Sequence, residues 1–239
     1  MSKLVIDIET VGKDLADLDE ISQDYFKHWA ENTVNGDDSK IEPELEKIVE
    51  GFSFSPLTAQ VVCVGVLNPD TNKGKIYYQD LKNPKNKFEE QGIAFEALTE
   101  KGILEKFWQD VAAYDEFITF NGRGFDIPFL MLRSAIHKVK PTKNLLSNRY
   151  LNLQRNGAKH YDLADLLKFY GAVYGGRGYN LHMYCQALGI QSPKHEGVSG
   201  AHVKEMFAQE RYEDIARYNV DDIVATAELF KIWQNYIDV

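Results

Sequence analysis

The sequence predicts an α/β fold, a five-stranded mixed β-sheet flanked by α-helices. Three observations carry this expectation. Two β-branched runs early in the chain are separated only by a turn, as in a hairpin. Further on, apolar runs alternate with stretches of helical spacing, and the C-terminal stretch carries a single apolar stripe at helical intervals. A meander followed by alternating helices and strands gives a sheet with both antiparallel and parallel neighbours.

The first strand is expected at 3–8, Lys-Leu-Val-Ile-Asp-Ile. The acidic stretch 11–57 follows. It shows helical spacing at Ile41, Leu45 and Ile48, holds no strand-like run and closes at Pro56, so it reads as a helical insertion after strand 1. Val61, Val62, Val64 and Val66 mark a second strand over 60–67. Asn68-Pro69-Asp70 is a turn and 75–80 a third strand. A helix is expected over 92–113, with Phe95, Leu98, Ile103, Leu104, Phe107 and Val111 as its apolar positions and Gly102 as a break point. The fourth strand is 116–120, followed by the turn Asn121-Gly122-Arg123-Gly124 and a helix over 125–137. A fifth strand lies at 159–163, and the remainder reads as helices at 162–170, 179–188, 200–208 and 211–236. A glycine-rich loop, 174–178, separates two of them. The whole chain, 1–239, is expected to be one domain.

Bulk properties narrow the class. Apolar residues make up 44% and aromatic residues 12%, enough for a sizeable core. No apolar run approaches the ~20 residues that a membrane span needs. The Met-Ser-Lys start lacks the features of a signal peptide, so the expected location is cytoplasmic, with no membrane partner. Cys63 and Cys185 stand apart from any metal-ligand spacing and read as buried thiols. The net charge of −9 argues against a general polyanion binder. Charge is uneven, however. Between 138 and 177, Lys138, Lys140, Lys143, Arg149, Arg155, Lys159, Lys168 and Arg177 stand against only Asp162 and Asp165. A polyanion would approach that side, unless these are plain solvated lysines and arginines.

Four carboxylates sit where carboxylates are costly. Asp7 and Glu9 are two residues apart at the end of an apolar strand, so both point to one face. They suit either a cation site or a solvated strand end. Asp126 stands at the start of a helix with Pro128 in its first turn, where capping is the alternative to ligation. In the last helix, Ile215, Tyr218, Asp222, Ala225, Leu229 and Trp233 form one stripe, with a phenol and a carboxylate one turn apart in an otherwise apolar row. A carboxylate facing a core costs several kcal/mol unless it lines a polar pocket or meets a cation. Carboxylate oxygens favour hard ions such as Mg²⁺ or Mn²⁺, and no His/Cys spacing suggests zinc.

These residues resemble the three motifs of the DEDDy 3′→5′ exonucleases: Asp7-Ile8-Glu9-Thr10, Asn121 through Asp126, and Tyr218-Asn219-Val220-Asp221-Asp222. The likeness is to the proofreading domain of family B DNA polymerases, especially its stand-alone bacterial homologues. It implies a ribonuclease H-like fold with the site at the strand ends. It implies two Mg²⁺ or Mn²⁺ ions held by Asp7, Glu9, Asp126 and Asp222, with Tyr218 orienting the attacking water. It further implies substrate contacts from Thr10, Asn121, Phe125 and Asp162, with Phe125 stacking on the base and Asp162 at a place where such domains often carry an Asp. The implied substrate is the 3′ end of single-stranded nucleic acid, DNA before RNA, with a replication or repair protein as a possible partner. The alternatives are an exoribonuclease that trims RNA 3′ ends, and a non-catalytic module that binds nucleic acid or docks a partner. The long acidic insertion and the lack of a polymerase region depart from the polymerase pattern.

Overall fold

The computed structural model describes residues 2–34, 36–154, 157–173, 179–192 and 200–238. The glycine-rich loop 174–178 and Arg155 lie outside the described residues. One sheet runs through the molecule. Its strands are β1 (Lys3–Gly12), β2 (Ala59–Asn68), β3 (Lys73–Tyr78), β4 (Lys87–Glu90), β5 (Ile93–Ala97), β6 (Glu116–Thr119) and β7 (Lys159–Asp162). Their spatial order is β4-β5-β3-β2-β1-β6-β7. The meander β1-β2-β3 is antiparallel. β6 runs parallel to β1, β7 parallel to β6 and β5 parallel to β3, so the sheet is mixed.

Among the described residues the sheet has seven strands where five were expected, because Lys87–Glu90 and the start of the supposed helix at 92–113 are both strands. In Ile93–Ala97 buried and more exposed residues alternate, the two-residue period of a strand. The helix α3 begins only at Glu100, where the Thr99 side chain accepts a hydrogen bond from the Gly102 amide and caps it. Gln91 and Gly92 both have positive φ, and Glu90 pairs with Ile93, so a two-residue hairpin joins β4 to β5. Phe88 and Phe95 stack across that hairpin at 4.4 Å.

Helices cover both faces. α3 (Glu100–Val111) and α4 (Asp126–Ile136) bury Ile103, Leu104, Phe107, Trp108, Phe129 and Leu130 against Leu4, Ile6, Ile8 and Val64. On the other face the long C-terminal helix α8 (Tyr212–Tyr236) lays Ile215, Ile223, Leu229, Phe230 and Trp233 against Val5, Cys63, Leu67 and Ile76. Alternation along β1 therefore sends Val5, Asp7, Glu9 and Val11 towards α8, and Leu4, Ile6 and Ile8 towards α3 and α4. Both cysteines are free and buried.

β1 continues to Gly12, so the insertion begins later than residue 11. Among its described residues it is helical: α1 (Glu20–Thr33), α2 (Ile41–Glu50) and a 3-10 turn at Gly51–Phe54. The helix expected at 162–170 is shorter, with α5 at Leu163–Leu166 and a 3-10 turn at Phe169–Gly171; α6 (Leu181–Leu188) and α7 (Gly200–Ala208) follow. Among the described residues no helix is long and apolar enough to cross a membrane.

Candidate active site

Asp7 and Glu9 project from β1 and Asp222 from the middle of α8. Each offers one carboxylate oxygen, and the three oxygens lie within 4.8 Å of one another. Glu9 is buried, and Asp7 and Asp222 are partly buried. Burial above all, then the charges of Asp222, Asp126 and Glu9, holds the Asp7 carboxyl well above the usual carboxylate range. Burial, then Asp222 and Asp126, does the same to Glu9. Like charges at this spacing favour the protonated form until a cation arrives.

Asp126 opens α4 and forms the neighbouring wall. β6 ends at Thr119, its last partner on β1 being Val5, so β1 runs on past it. Beyond that point the Ile8 amide donates to Asp126 Oδ1 at 3.1 Å. Asp126 is 4% exposed, and burial pushes its carboxyl up to about 7 against two backbone hydrogen bonds that lower it. It stands beside the three clustered oxygens rather than among them.

Tyr218 lies one turn before Asp222 on α8. Burial, then the charges of Asp222, Glu9 and Asp7, drives its hydroxyl far above its ordinary value, so it is a hydrogen-bond donor throughout the physiological range. Asp221, next to Asp222, faces outward.

Asn219 completes the site and was not singled out from the sequence. It is fully buried, and its Nδ2 donates to Asp7 Oδ2 at 2.7 Å. This bond lowers the Asp7 carboxyl against the other influences. Among the described residues its Oδ1 has no hydrogen-bond partner. A Cβ at Gly65 would fall 2.0 Å from that oxygen, so the glycine in β2 makes the room that Asn219 fills. A polar residue at 219 on the same helix stripe as Ile215 and Asp222 was the available signal.

The turn after β6 carries Asn121 and leads to Phe125. Asn121 is exposed and adopts φ 64°, the left-handed region that Asn tolerates. Asp162 holds this turn from beneath. Its Oδ1 accepts from the amides of Asn121 (2.9 Å) and Ala164 (3.0 Å), and its Oδ2 from the Arg123 amide (2.9 Å). Asp162 is 4% exposed. Its carboxylate thus supports the backbone of this turn. Thr10 likewise spends its hydroxyl on the Ser53 carbonyl at 2.7 Å. Phe125 is half-buried, with ring centroids 5.4 Å from Phe129 and 6.2 Å from Phe54. The basic patch is weaker than its sequence implied: Arg149 pairs with Asp165, and Lys143 with Asp115. Arg177 falls outside the described residues.

The chemistry of the donor set fits a divalent hard cation. Three carboxylates converge, and their mutual repulsion disfavours ionisation unless a positive charge joins them. With helices on both faces of a mixed sheet, this arrangement defines a ribonuclease H-like α/β domain. A family model described as a predicted 3′-5′ exonuclease related to the exonuclease domain of PolB matches residues 53–236, and the chain belongs to that family. The matched span includes 121–126 and 218–222 and begins beyond Asp7 and Glu9. The family B DNA polymerase of the hyperthermophilic archaeon Pyrobaculum calidifontis is similar in structure, with a TM-score of 0.58 and 15% sequence identity. The similarity covers 97% of this chain and 24% of the polymerase, so the chain spans about a quarter of that protein's length. No curated protein matches the sequence.

Proposed function

We propose that the chain is a metal-dependent 3′→5′ exonuclease that hydrolyses the terminal phosphodiester of single-stranded DNA and releases nucleoside 5′-monophosphates. The observation that carries this reading is the convergence of Asp7, Glu9 and Asp222 within 4.8 Å, with Tyr218 one turn away on the same helix as Asp222. Two Mg²⁺ or Mn²⁺ ions, when bound, would neutralise charge on the phosphate and make water a better nucleophile. Asp7, Glu9 and Asp222 would hold them. Asp126, with one oxygen committed to the Ile8 amide, would contribute through water.

Tyr218 acts as a donor. Its raised pKa keeps the proton on the phenol, so it orients the attacking water and does not deprotonate it. Water adds to phosphorus and the bond to the 3′ oxygen of the shortened strand breaks. Asn219 positions Asp7 without touching substrate. Phe125 would stack on the terminal base, a sequence-tolerant contact of roughly 1–3 kcal/mol. Kinship with the exonuclease domain of a DNA polymerase supports DNA over RNA and a role in replication or repair. The reading takes that role as cytoplasmic and 1–239 as one working domain.

The test is digestion of 5′-labelled DNA and RNA oligonucleotides of one sequence with Mg²⁺, Mn²⁺ or EDTA, beside Asp7→Ala. A one-nucleotide ladder that needs both metal and Asp7 is expected, faster on DNA. A faster RNA ladder would reassign the substrate. Binding of either strand without any cleavage would identify a non-catalytic module.

A further inference from the structure

Phe54 is a large apolar side chain left in water on a well-anchored segment. It is 71% exposed, whereas Phe52, two residues earlier, is 3% exposed and packs on Phe26 of α1 with centroids 4.6 Å apart. The 3-10 turn carrying both is tied to β1 just beyond the carboxylates. Thr10 Oγ1 donates to the Ser53 carbonyl at 2.7 Å and the Gly12 amide to Ser53 Oγ at 3.1 Å. A Cβ at Gly12 would sit 2.7 Å from the Ser53 amide nitrogen, so the close approach needs that glycine. From this anchor Phe54 meets Phe125 edge to face, with centroids 6.2 Å apart and planes at 63°. Phe125 directly precedes Asp126, whose carboxylate holds the amide of Ile8 between Asp7 and Glu9. An exposed aromatic ring alone is ordinary. Here the second ring, the rigid mount and the adjoining carboxylates make a corner with one open face.

We infer that Phe54 is a base-stacking residue of the substrate site, forming with Phe125 an aromatic corner that takes an unpaired nucleobase from the 3′ end. This rests on the exonuclease reading above and extends it to the insertion, which then supplies one wall of the site. Phe54 offers a π-face and no hydrogen-bonding group, so it recognises the base plane and not its edges, which is tolerant of sequence. A base stacked there has left the duplex stack. The corner therefore selects frayed or single-stranded ends over paired ones.

The test uses the full chain with Mn²⁺ and 5′-labelled oligonucleotides whose last two positions are either normal or abasic, with Phe54→Ala, Phe54→Tyr and, as a control at another exposed apolar residue of the insertion, Ile21→Ala. Phe54→Ala is expected to raise KM by about fivefold to a hundredfold on normal ends, the range that loss of one stacking contact gives. On abasic ends it should match wild type. Phe54→Tyr should restore KM, and Ile21→Ala should follow wild type. An unchanged KM for Phe54→Ala, or an equal loss on normal and abasic ends, overturns the assignment while the exonuclease reading stands. Failure of the wild-type protein to shorten any oligonucleotide with metal overturns both.

Discussion

Glu9→Gln removes one charge from a buried cluster and keeps the side chain's volume, so it isolates the cost of that charge. The oxygens of Asp7, Glu9 and Asp222 lie within 4.8 Å of one another. At an effective dielectric of about 20, two unit charges at this spacing repel by roughly 3.5 kcal/mol, and Glu9 faces two such neighbours. The folded protein escapes part of this by retaining protons, as the raised carboxyls of Asp7, Glu9 and Asp126 show. A gain of about 2 kcal/mol at about pH 8 without divalent ions is therefore expected, or roughly 4–8 °C in Tm for a chain of this size. The pH dependence follows from the direction of the shifts. A carboxyl whose pKa is raised on folding holds protons that the unfolded chain has lost, so its folded state is favoured at low pH and loses stability as pH rises through the window. For Asp126 that window runs from 3.8 to about 7, worth at most ~4 kcal/mol. Thermal unfolding in EDTA between about pH 5 and about pH 8 should show wild type falling more steeply than Glu9→Gln. Mn²⁺ should raise the wild-type Tm most at the alkaline end and the variant's hardly at all. A variant that melts below wild type in EDTA at about pH 8 would refute the reasoning, because Glu9 would then be stabilised by a partner rather than strained by its neighbours.

Tyr218→Phe is expected to lower kcat by about a hundredfold, as for the loss of one well-placed donor, while the Tm gain on adding Mn²⁺ stays at the wild-type value. A lost Mn²⁺ response would instead make the phenol a metal ligand. Gly65→Ala should displace the Asn219 amide, whose oxygen lies 2.0 Å from the added Cβ, and cost about 1–3 kcal/mol in thermal unfolding. Asp7 then loses the donor that lowers its pKa, so the pH at which Mn²⁺ begins to raise Tm should move upward. An unmoved onset would show that Asn219 does not tune Asp7.

What could be read from the sequence depended on whether one period dominated a segment. The stripe of α8 was legible, since Ile215, Ala225, Leu229 and Trp233 are all buried while Tyr218 and Asp222 are half-open where the stripe passes the carboxylates of β1. β1, β2 and β3 were legible from apolar, β-branched runs. β5 was not, because Phe95 and Leu98 also fit the helical spacing of the α3 residues after them, and five alternating residues are too few to outweigh a twelve-residue helix. Its hairpin turn is Gln91-Gly92, which lacks the Asn-Gly or Asp-Gly that announces such turns. At the site, the carboxylates could be named because charge in an apolar pattern is conspicuous. The partners of the supporting residues could not. Asp162 and Thr10 are acidic and hydroxylic side chains whose partners are backbone groups of distant segments. Gly65 matters only because Asn219, 154 positions away, rests on it.

Several local anomalies of this chain share one place and one cause. Three clustered carboxylates, an amide oxygen without a partner, a glycine inside a central strand and an asparagine at positive φ surround the β1–α8 crossing or the turn beside it. Each costs the fold something: charge repulsion, an unmade hydrogen bond, weaker strand packing or backbone strain. They are supported in turn by hydrogen bonds that hold them in place, with Asn219 on Asp7, Asp162 under the Asn121 turn and Asp126 on the Ile8 amide. Such a set is expected where electrostatic preorganisation is the purpose. A site for a multiply charged ion and a phosphate would have to hold its oxygens close before either arrives, and the repulsion among those oxygens is what the ion would relieve on binding.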